Sequence, residues 1–342
     1  MKAKSLQFGK AMSAALFVLL LVVVGMTNAL AQNQIATLQH EGNITMFYGV
    51  NAFQNANNAA QNGDTITLSS GSFRGCTLSK AVTIHGAGCV EDTVASVLPT
   101  ALIDDIYLDN HNDTLSLTID GINGSEVKFY YKNNCKNVVV NKCNIRALYP
   151  YGSTYSTYIY NSSFGNCIIK QFWYNGSGSV IVNCVVGGVG FSQNNSTVYN
   201  SIIELGDGTF TNSMVINSII SSSGYNTIGN SICYNCIGIT SYLNGNSSLF
   251  EGQVNNTNMI ANSYSDVFET FAGEITFNNS YQLKEEIANS FLGNDGTEVG
   301  VYGGLKPYNP RPSYMIIRRC NVAGRTTEDN KLSVEIELNT ND

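Results

Sequence analysis

The chain has 342 residues, of which 43% are hydrophobic and only 13% charged, with a formal net charge of −7. Such a length accommodates one elongated domain with small ends, and the acidic balance disfavours nucleic acid or an anionic membrane as a partner. The first predicted element is a secretory signal over residues 1–31. Lys2, Lys4 and Lys10 precede the apolar run Ala14 to Val24, and Ala29-Leu30-Ala31 reads as a small-residue cleavage site. The run is shorter than the roughly 20 residues that span a bilayer. Its removal leaves 342 − 31 = 311 residues and, with three lysines gone, a formal charge of −10. No Cys follows the site, so no lipid anchor is expected, and no later segment reads as transmembrane. The chain is expected to be exported: periplasmic, cell-surface or extracellular.

From Val50 to Gln61 the apolar side chains of Val50, Phe53, Ala56, Ala59 and Ala60 share one helical face, and Asn62-Gly63 ends the helix. Asp64 to Leu68 alternates as a strand, and Ala81-Val82-Thr83-Ile84 gives a second, closed by His85-Gly86-Ala87-Gly88. His85 reads either as a turn residue or as an acid–base group. Asp104, Asp105, Asp109, His111 and Asp113 crowd one stretch and offer oxygen ligands to calcium, although without the glycine and terminal glutamate of an EF-hand. The alternative is an acidic loop.

Between Val138 and Cys233 one phrase recurs six times: an apolar residue, one more residue, then Asn. Its asparagines are Asn141, Asn161, Asn183, Asn200, Asn217 and Asn230, spaced 20, 22, 17, 17 and 13 residues apart. Such intervals suit one short β-rung per copy, hence a solenoid. Two positions before each Asn stand Val139, Ile159, Ile181, Val198, Val215 and Ile228. Two positions after stand Cys143, Ser163, Val185, Ile202, Ile219 and Ile232. Counting by twos, all three columns face one side of an extended chain, which is expected to be the interior. Interior amides then need partners, and a ladder of asparagines about 4.8 Å apart would supply them. Asp120 reads either as the upper end of that ladder or as a turn residue before Gly121.

Aromatic residues crowd the middle rungs. Tyr149, Tyr151, Tyr155, Tyr158 and Tyr160 precede Phe172-Trp173-Tyr174 by less than one rung, so the two groups are expected on adjacent rungs. Beside Arg146 and Lys170 they would form a binding platform from Tyr149, Tyr151, Tyr155, Tyr160, Lys170, Trp173 and Tyr174, or else pack on one another along the outer faces. Nine cysteines cannot all pair within one chain. Cys143, Cys167 and Cys184 suit small interior positions, and Cys76/Cys89, Cys135/Cys143 and Cys233/Cys236 are the pairs to test. The lone Cys233-Tyr234-Asn235-Cys236 lacks the second pair or histidine of a zinc site. After Pro307, Pro310 and Pro312, residues 315–317 and 332–338 read as a small hairpin around a polar loop from Gly324 to Asn330.

Asn51 to Gly88, with its helix, Gly-Asp-Thr-Ile strand, Gly-Ser-Phe and Val-Thr-Ile-His-Gly, resembles the opening of right-handed parallel β-helix proteins of the pectate-lyase-like superfamily. Asp295 to Gly304, followed by Pro307, is similar to the closing segment of exported β-helix proteins of Bacteroidetes type. The resemblance covers roughly residues 47–310 and implies an all-β, right-handed parallel β-helix over 63–306, with an N-terminal cap over 32–62 and terminal strands over 307–342. Enzymes of that superfamily that cleave acidic polysaccharides need a basic residue and a stabilising cation. Here the only such constellation is Arg146 or Lys142 with Asp120, and from Ala147 to Leu305 the basic residues are Lys170 and Lys284 alone. The expectation is a non-catalytic exported monomer without cofactor that binds a polysaccharide or a surface protein; a polysaccharide lyase is the alternative.

Overall fold

The structure, a computed structural model, describes residues 34–339 apart from 92–97, 111, 125, 131–133, 152–157, 191, 223–227, 229, 240–248, 251–256, 272–274, 277–278, 312–315 and 327–331. The proposed signal segment, Tyr155 and His111 lie outside the described residues. The protein is an all-β solenoid of about nine turns. Each turn passes through up to four short strands, and like strands of successive turns pair in parallel to form sheets A, B, C and D, met in that order along the chain. In one turn these are Val138–Asn141, Asn144–Ile145, Ala147–Tyr151 and Tyr158–Tyr160.

The interior is a set of stacked apolar columns. In sheet A the register aligns Ile66, Ile84, Ile119, Val140, Phe164, Ile181, Val198, Val215 and Cys233. All nine are buried. A parallel sheet needs such β-branched and aromatic rows, since identical faces must fit at one strand spacing.

The asparagines do not form the expected interior ladder; they turn the corners. At the D–A corner Asn137, Asn161, Asn195 and Asn212 have φ between 48° and 51°, with Gly178 at 69° in the same place. At the A–B corner Lys142, Asn166, Asn183, Asn200, Asn217 and Asn235 have φ between 44° and 51°. Asn adopts this left-handed conformation more readily than other residues with a Cβ, because its short amide bonds to the local backbone. The uneven spacing in the sequence arises because Asn161 and Asn230 precede sheet A whereas Asn183, Asn200 and Asn217 follow it. Asn141 belongs to neither corner. It ends a strand, partly exposed on the outer face, and its Nδ2 donates to Asp120 Oδ1 at 2.9 Å, so one link of the expected ladder exists there.

A left-handed residue takes its neighbour's N–H out of the sheet ladder, and the residue that follows it restores the bond. Ser196 and Ser213 each present Oγ to the backbone N–H one turn earlier, at 3.2 and 3.0 Å. At the A–B corner Cys167, Cys184, Ser201 and Ser218 do the same, accepting through Sγ at 3.5 and 3.4 Å and through Oγ at 3.2 and 3.1 Å. Each also donates to the carbonyl two residues before it, as Ser201 Oγ does to Tyr199 O at 2.7 Å. Without that partner each buried N–H would cost about 1–3 kcal/mol. Cys167 and Cys184 are thus hydrogen-bonding members of a column, and all eight cysteines from Cys76 to Cys236 carry free thiols, so none of the three candidate pairs is bonded.

The column two positions before the Asn is interior at Ile159, Ile181, Val198, Val215 and Ile228, and only Val139 is partly exposed, between buried Val138 and Val140. The column two positions after it lies largely elsewhere. Val185, Ile202 and Ile219 lie with Ile168 and Ile237 on the outside of sheet B, where the chain returns to cover them. That return contains the short helices α2 (Tyr264–Val267) and α3 (Glu285–Ser290), numbered after α1 (Ala52–Ala59) of the cap. Its Val267, Phe268, Tyr281, Leu283, Val299 and Val301 complete a second apolar core. From Leu292 it runs as a strap up the A–B corner. Asn235 Nδ2 donates to Leu292 O at 3.0 Å, Asn217 exchanges two 2.9 Å bonds with Asn294, Asn183 donates to Val301 O and Gly303 O, and Asn309 N donates to Asn166 Oδ1. Gly300, at φ 91°, passes so close that an added Cβ would stand 2.9 Å from Ile219.

At the N-terminal end a hairpin, Ile35–His40 with Asn43–Tyr48, pairs antiparallel with Thr65–Leu68 and ends sheet A. His40 Nδ1 meets Asp64 Oδ1 at 2.8 Å. Helix α1 covers the top turn with Ala52, Phe53, Ala56 and Asn57; Ala59, expected on that face, is exposed, whereas Ala60 is buried. At the other terminus strands Ile316–Thr326 and Leu332–Asn339 form an antiparallel hairpin, the first of them reaching past Gly324 into the expected loop.

Asn217 tests the two roles of a corner asparagine separately. Replacing it by Gly keeps the left-handed turn and loses the bonds to Asn294, with an expected cost of about 1–2 kcal/mol. Replacement by Ala loses both and should cost about 1–2 kcal/mol more. Urea denaturation of the two variants reads the difference, and equal stability would contradict the corner role.

Candidate functional site

Sheet C carries the densest group of polar and aromatic side chains. Its outward column is Thr77, Tyr107, Lys128 and Tyr149, one residue per turn. The isolated bridges Leu148↔Phe172 and Phe172↔Val189 continue the sheet, which sets Trp173 after Tyr149 and Gly190 after Trp173. At about 4.8 Å per turn the column from Tyr107 to Trp173 extends about 14 Å.

Lys128 is the centre of the upper part. Its ammonium lies 5.7 Å from the Tyr107 ring centre and 5.3 Å from that of Tyr149, so it sits between the two rings. It also bonds to Asp105 and lies 3.3 Å from Glu126 Oε2. Glu126 in turn accepts from Tyr149 Oη and pairs with Arg146. The bond from Tyr149 holds the Glu126 carboxyl below its ordinary value against the opposing effect of burial, with Lys128 and Arg146 adding to it. Burial pulls Lys128 down, but the hydrogen bonds to Asp105, Tyr149 and Glu126 outweigh it and raise the ammonium well above its ordinary range. A lysine held charged in this way is a poor general base.

Trp173 is placed differently. A Cβ built on Gly190 would lie 3.0, 3.0 and 3.1 Å from three atoms of the indole. The ring therefore lies face-down on Gly190, with its Nε1 edge 3.6 Å from the corresponding position at Gly188. It is 45% exposed.

Above the column, a groove of about 740 Å³ opens between α1 and the turns below it. Gln54, Asn55, Asn57 and Asn58 form one wall, and Gly75, Thr77, Asp104, Asp105 and Tyr107 are opposite. Gly75 is required there, because a Cβ would come within 2.1 Å of Asp105 O.

The residues read from the sequence are divided among four faces. Tyr149 and Trp173 occupy adjacent turns of sheet C, and Tyr151 closes the same strand as Tyr149. Tyr174 is not on the platform but inside, 1% exposed, with its ring 4.6 Å from that of Phe172. A strand alternates, so Trp173 and Tyr174 cannot both face outward. Tyr160 is on sheet D, where its ring lies 5.9 Å from that of Tyr158. Lys170 lines a separate groove with Glu91, Asn123 and Asn144 on the sheet B side. Arg146 turns to Glu126, whereas Lys142 occupies an A–B corner and Asp120 stands between His85 Nδ1, at 3.3 Å, and Asn141. Lys142 follows Asn141, the register partner of Asp120, so those two lie on adjacent turns at the end of sheet A, whereas Arg146 is engaged by Glu126 of sheet C. The acidic stretch is likewise dispersed: Asp104 lies 3.9 Å from Arg74, Asp105 bonds to Lys128, and Asp113 Oδ1 lies 2.6 Å from Lys136. No cluster of three metal-ligating side chains occurs among the described residues. Sequence reading missed Tyr107, Glu126 and Lys128, whose signal was their charge and ring content in two strands ahead of the repeat. No family model, curated protein or solved structure matches the chain.

The depressed Glu126 sets a pH dependence. Its folded value is below the unfolded one, so its contribution is complete above the ordinary 4.5 and is lost as pH falls through the lowered folded value. Urea midpoints measured from pH 6 down to pH 3 should fall less steeply for Glu126→Gln than for the unaltered protein, and parallel profiles would contradict the assignment.

Proposed function

We propose that the protein is an exported, non-catalytic β-helix that binds a glycan along the outer face of sheet C. The observation that carries this reading is Trp173, an indole seated flat on Gly190 and 45% exposed on the outer side of the solenoid. A sugar ring offers a face of C–H bonds that stacks on such a platform, and hydroxyls that bond to the charged groups beside it. Glu126, Arg146, Lys128 and Asp105 supply those donors and acceptors within the next turns. The resemblance to pectate-lyase-like β-helix proteins of exported, Bacteroidetes type belongs to the same reading, and so do the signal segment and export.

The polysaccharide lyase alternative is weakened by the placement of its residues. Arg146 is held by the Glu126 carboxylate of sheet C, whereas Lys142 and Asp120 lie at the end of sheet A. Incubation with pectin, alginate and glycosaminoglycans is expected to release no unsaturated uronate product, and product that disappears in Arg146→Ala would restore that alternative.

For binding, the readout is a glycan array followed by titration of the best ligand. Trp173→Ala should weaken binding about tenfold, the equivalent of one lost aromatic contact. Gly190→Val, which fills the seat beneath the indole, should do the same without removing it. Unchanged affinity in both variants would remove the platform from the proposal.

A further inference from the structure

The N-terminal end of the solenoid carries an open strand edge. Among the described residues, the strand Asn43–Tyr48 is the last of sheet A and pairs on one side only, with Ile35–His40. Bonded and non-bonded pairs alternate along an antiparallel ladder, and Gly49 N donates to Gln34 O at 2.9 Å, which sets the phase. Asn43, Thr45 and Phe47 therefore bond across to the first strand, while Ile44, Met46 and Tyr48 direct their N–H and C=O groups to the open edge. The side chains of these three share the outer face and are 68%, 54% and 61% exposed. Natural edges are shielded by charge, by Pro or by a bulge. This one has none of them: its pairing runs without a register shift, and residues 43–63 contain no charged side chain and no Pro.

We infer that the open edge of Asn43–Tyr48 is a dimer interface, pairing antiparallel with the same strand of a second copy about a two-fold axis at Met46. That centre uses the whole edge. Met46 meets its counterpart and Ile44 meets Tyr48 twice, which gives three bonded pairs of two hydrogen bonds each, with apolar side chains opposite one another on the outer face. A centre at Thr45 would leave Tyr48 opposite the Gly42 turn. Charge selects a second copy as the occupant. The chain has a formal charge of −7, or −10 without the signal segment, so two copies repel over most of their surface and approach where both are uncharged. Residues 43–63 form such a region. The contact is isologous and closes at two copies. Strands of this length bury less than the ~800 Å² per partner of a stable interface, so the dimer dissociates on dilution. It departs from the monomer expected from the sequence. Because it joins two solenoids end to end and leaves sheet C untouched, this inference and the glycan reading stand or fall separately.

Sedimentation velocity of the mature protein over about a hundredfold range of concentration should show monomer giving way to dimer. Met46→Pro removes the N–H on the axis and spares the internal ladder, which does not use it. Met46→Lys sets two like charges face to face. Each should raise the dissociation constant at least about tenfold, and added salt should recover part of the loss for the lysine variant alone. If Met46→Pro lowers the unfolding temperature, Met46→Lys, which leaves the backbone intact, carries the test. Cysteine substitution reads the register. Opposite residues of a bonded pair stand about 5.5 Å apart, within disulfide reach, whereas Thr45 and its counterpart would be separated by about 7–8 Å. Mild oxidation should therefore give a covalent dimer with Met46→Cys and none with Thr45→Cys or the unaltered protein. A monomer at every concentration, or a dimer that neither Met46→Pro nor Met46→Lys weakens, would overturn the inference. Cross-linking of Thr45→Cys as readily as Met46→Cys would overturn the register. Species that grow beyond the dimer with concentration would indicate head-to-tail pairing and overturn the closed dimer.

Discussion

The structure depends on how a parallel solenoid turns a corner without leaving backbone groups unpaired. A turn of about 17 residues must change direction several times, and at each change a left-handed residue interrupts the ladder of hydrogen bonds between successive turns. Two side chains in sequence answer this. Asn takes the left-handed conformation at small cost, and the Ser or Cys after it accepts the displaced N–H one turn earlier while donating to its own strand. Because the donor and the acceptor come from neighbouring turns, every corner bond also fixes the distance between turns. The Asn-Ser or Asn-Cys dipeptide is therefore the unit that sets both curvature and stacking. Sulfur serves at Cys167 and Cys184 with longer bonds, and burial drives the thiol of Cys167 well up, so it stays protonated and unreactive.

At the A–B corner the same asparagines have a second use. Their amides point away from the interior, and the returning chain from Leu292 to Asn309 bonds to five of the turns through Asn235, Asn217, Asn183 and Asn166 and by close approach to Asn200. A row of identical amides at one strand spacing is a regular template, and a strap with glycines at Gly300, Gly303 and Gly304 can lie on it closely. This explains how sheet B can keep an outward row of Ile168, Val185, Ile202, Ile219 and Ile237: the strap and the segment before it exclude water from them. The solenoid thus has two apolar cores, one inside and one outside, and the second ties distant turns into a single unit.

The period, the apolar interior and the solenoid class are legible in the sequence because they repeat locally. The two-corner geometry is not legible from the Asn-centred phrase alone, since asparagines that begin sheet A and asparagines that end it look alike. The next residue does not separate them either, since Ser162, Ser196 and Ser213 follow the left-handed Asn at the D–A corner and Ser201 and Ser218, with Cys167 and Cys184, do so at the A–B corner. The strap escapes local reading altogether, for Asn217 meets Asn294 across 77 residues and Asn166 meets Asn309 across 143. At the candidate site, strand alternation already determines that only one of Trp173 and Tyr174 can face outward. Which one does is fixed by packing, since Tyr174 completes a cluster with Phe129, Phe164 and Phe172.

The length of each turn decides where a binding face can exist. Along sheet A the aligned residues His85, Asp120, Asn141, Gly165, Val182, Tyr199, Ile216 and Tyr234 are separated by 35, 21, 24, 17, 17, 17 and 18 residues. The long turns have room for full sheet C strands such as Glu126–Tyr130 and Ala147–Tyr151; the short ones reduce that side to single bridges at Phe172 and Val189. Charge follows the same division, because Gln171 to Phe250 contains only Glu204 and Asp207. Trp173 stands at the boundary, on the first short turn, and the shortening gives it its seat: Gly188 and Gly190 replace the side chains that a longer strand would have set beneath it. The short turns therefore build a uniform support that the strap can grip, and the long turns release enough chain to form a surface with rings, charges and a groove.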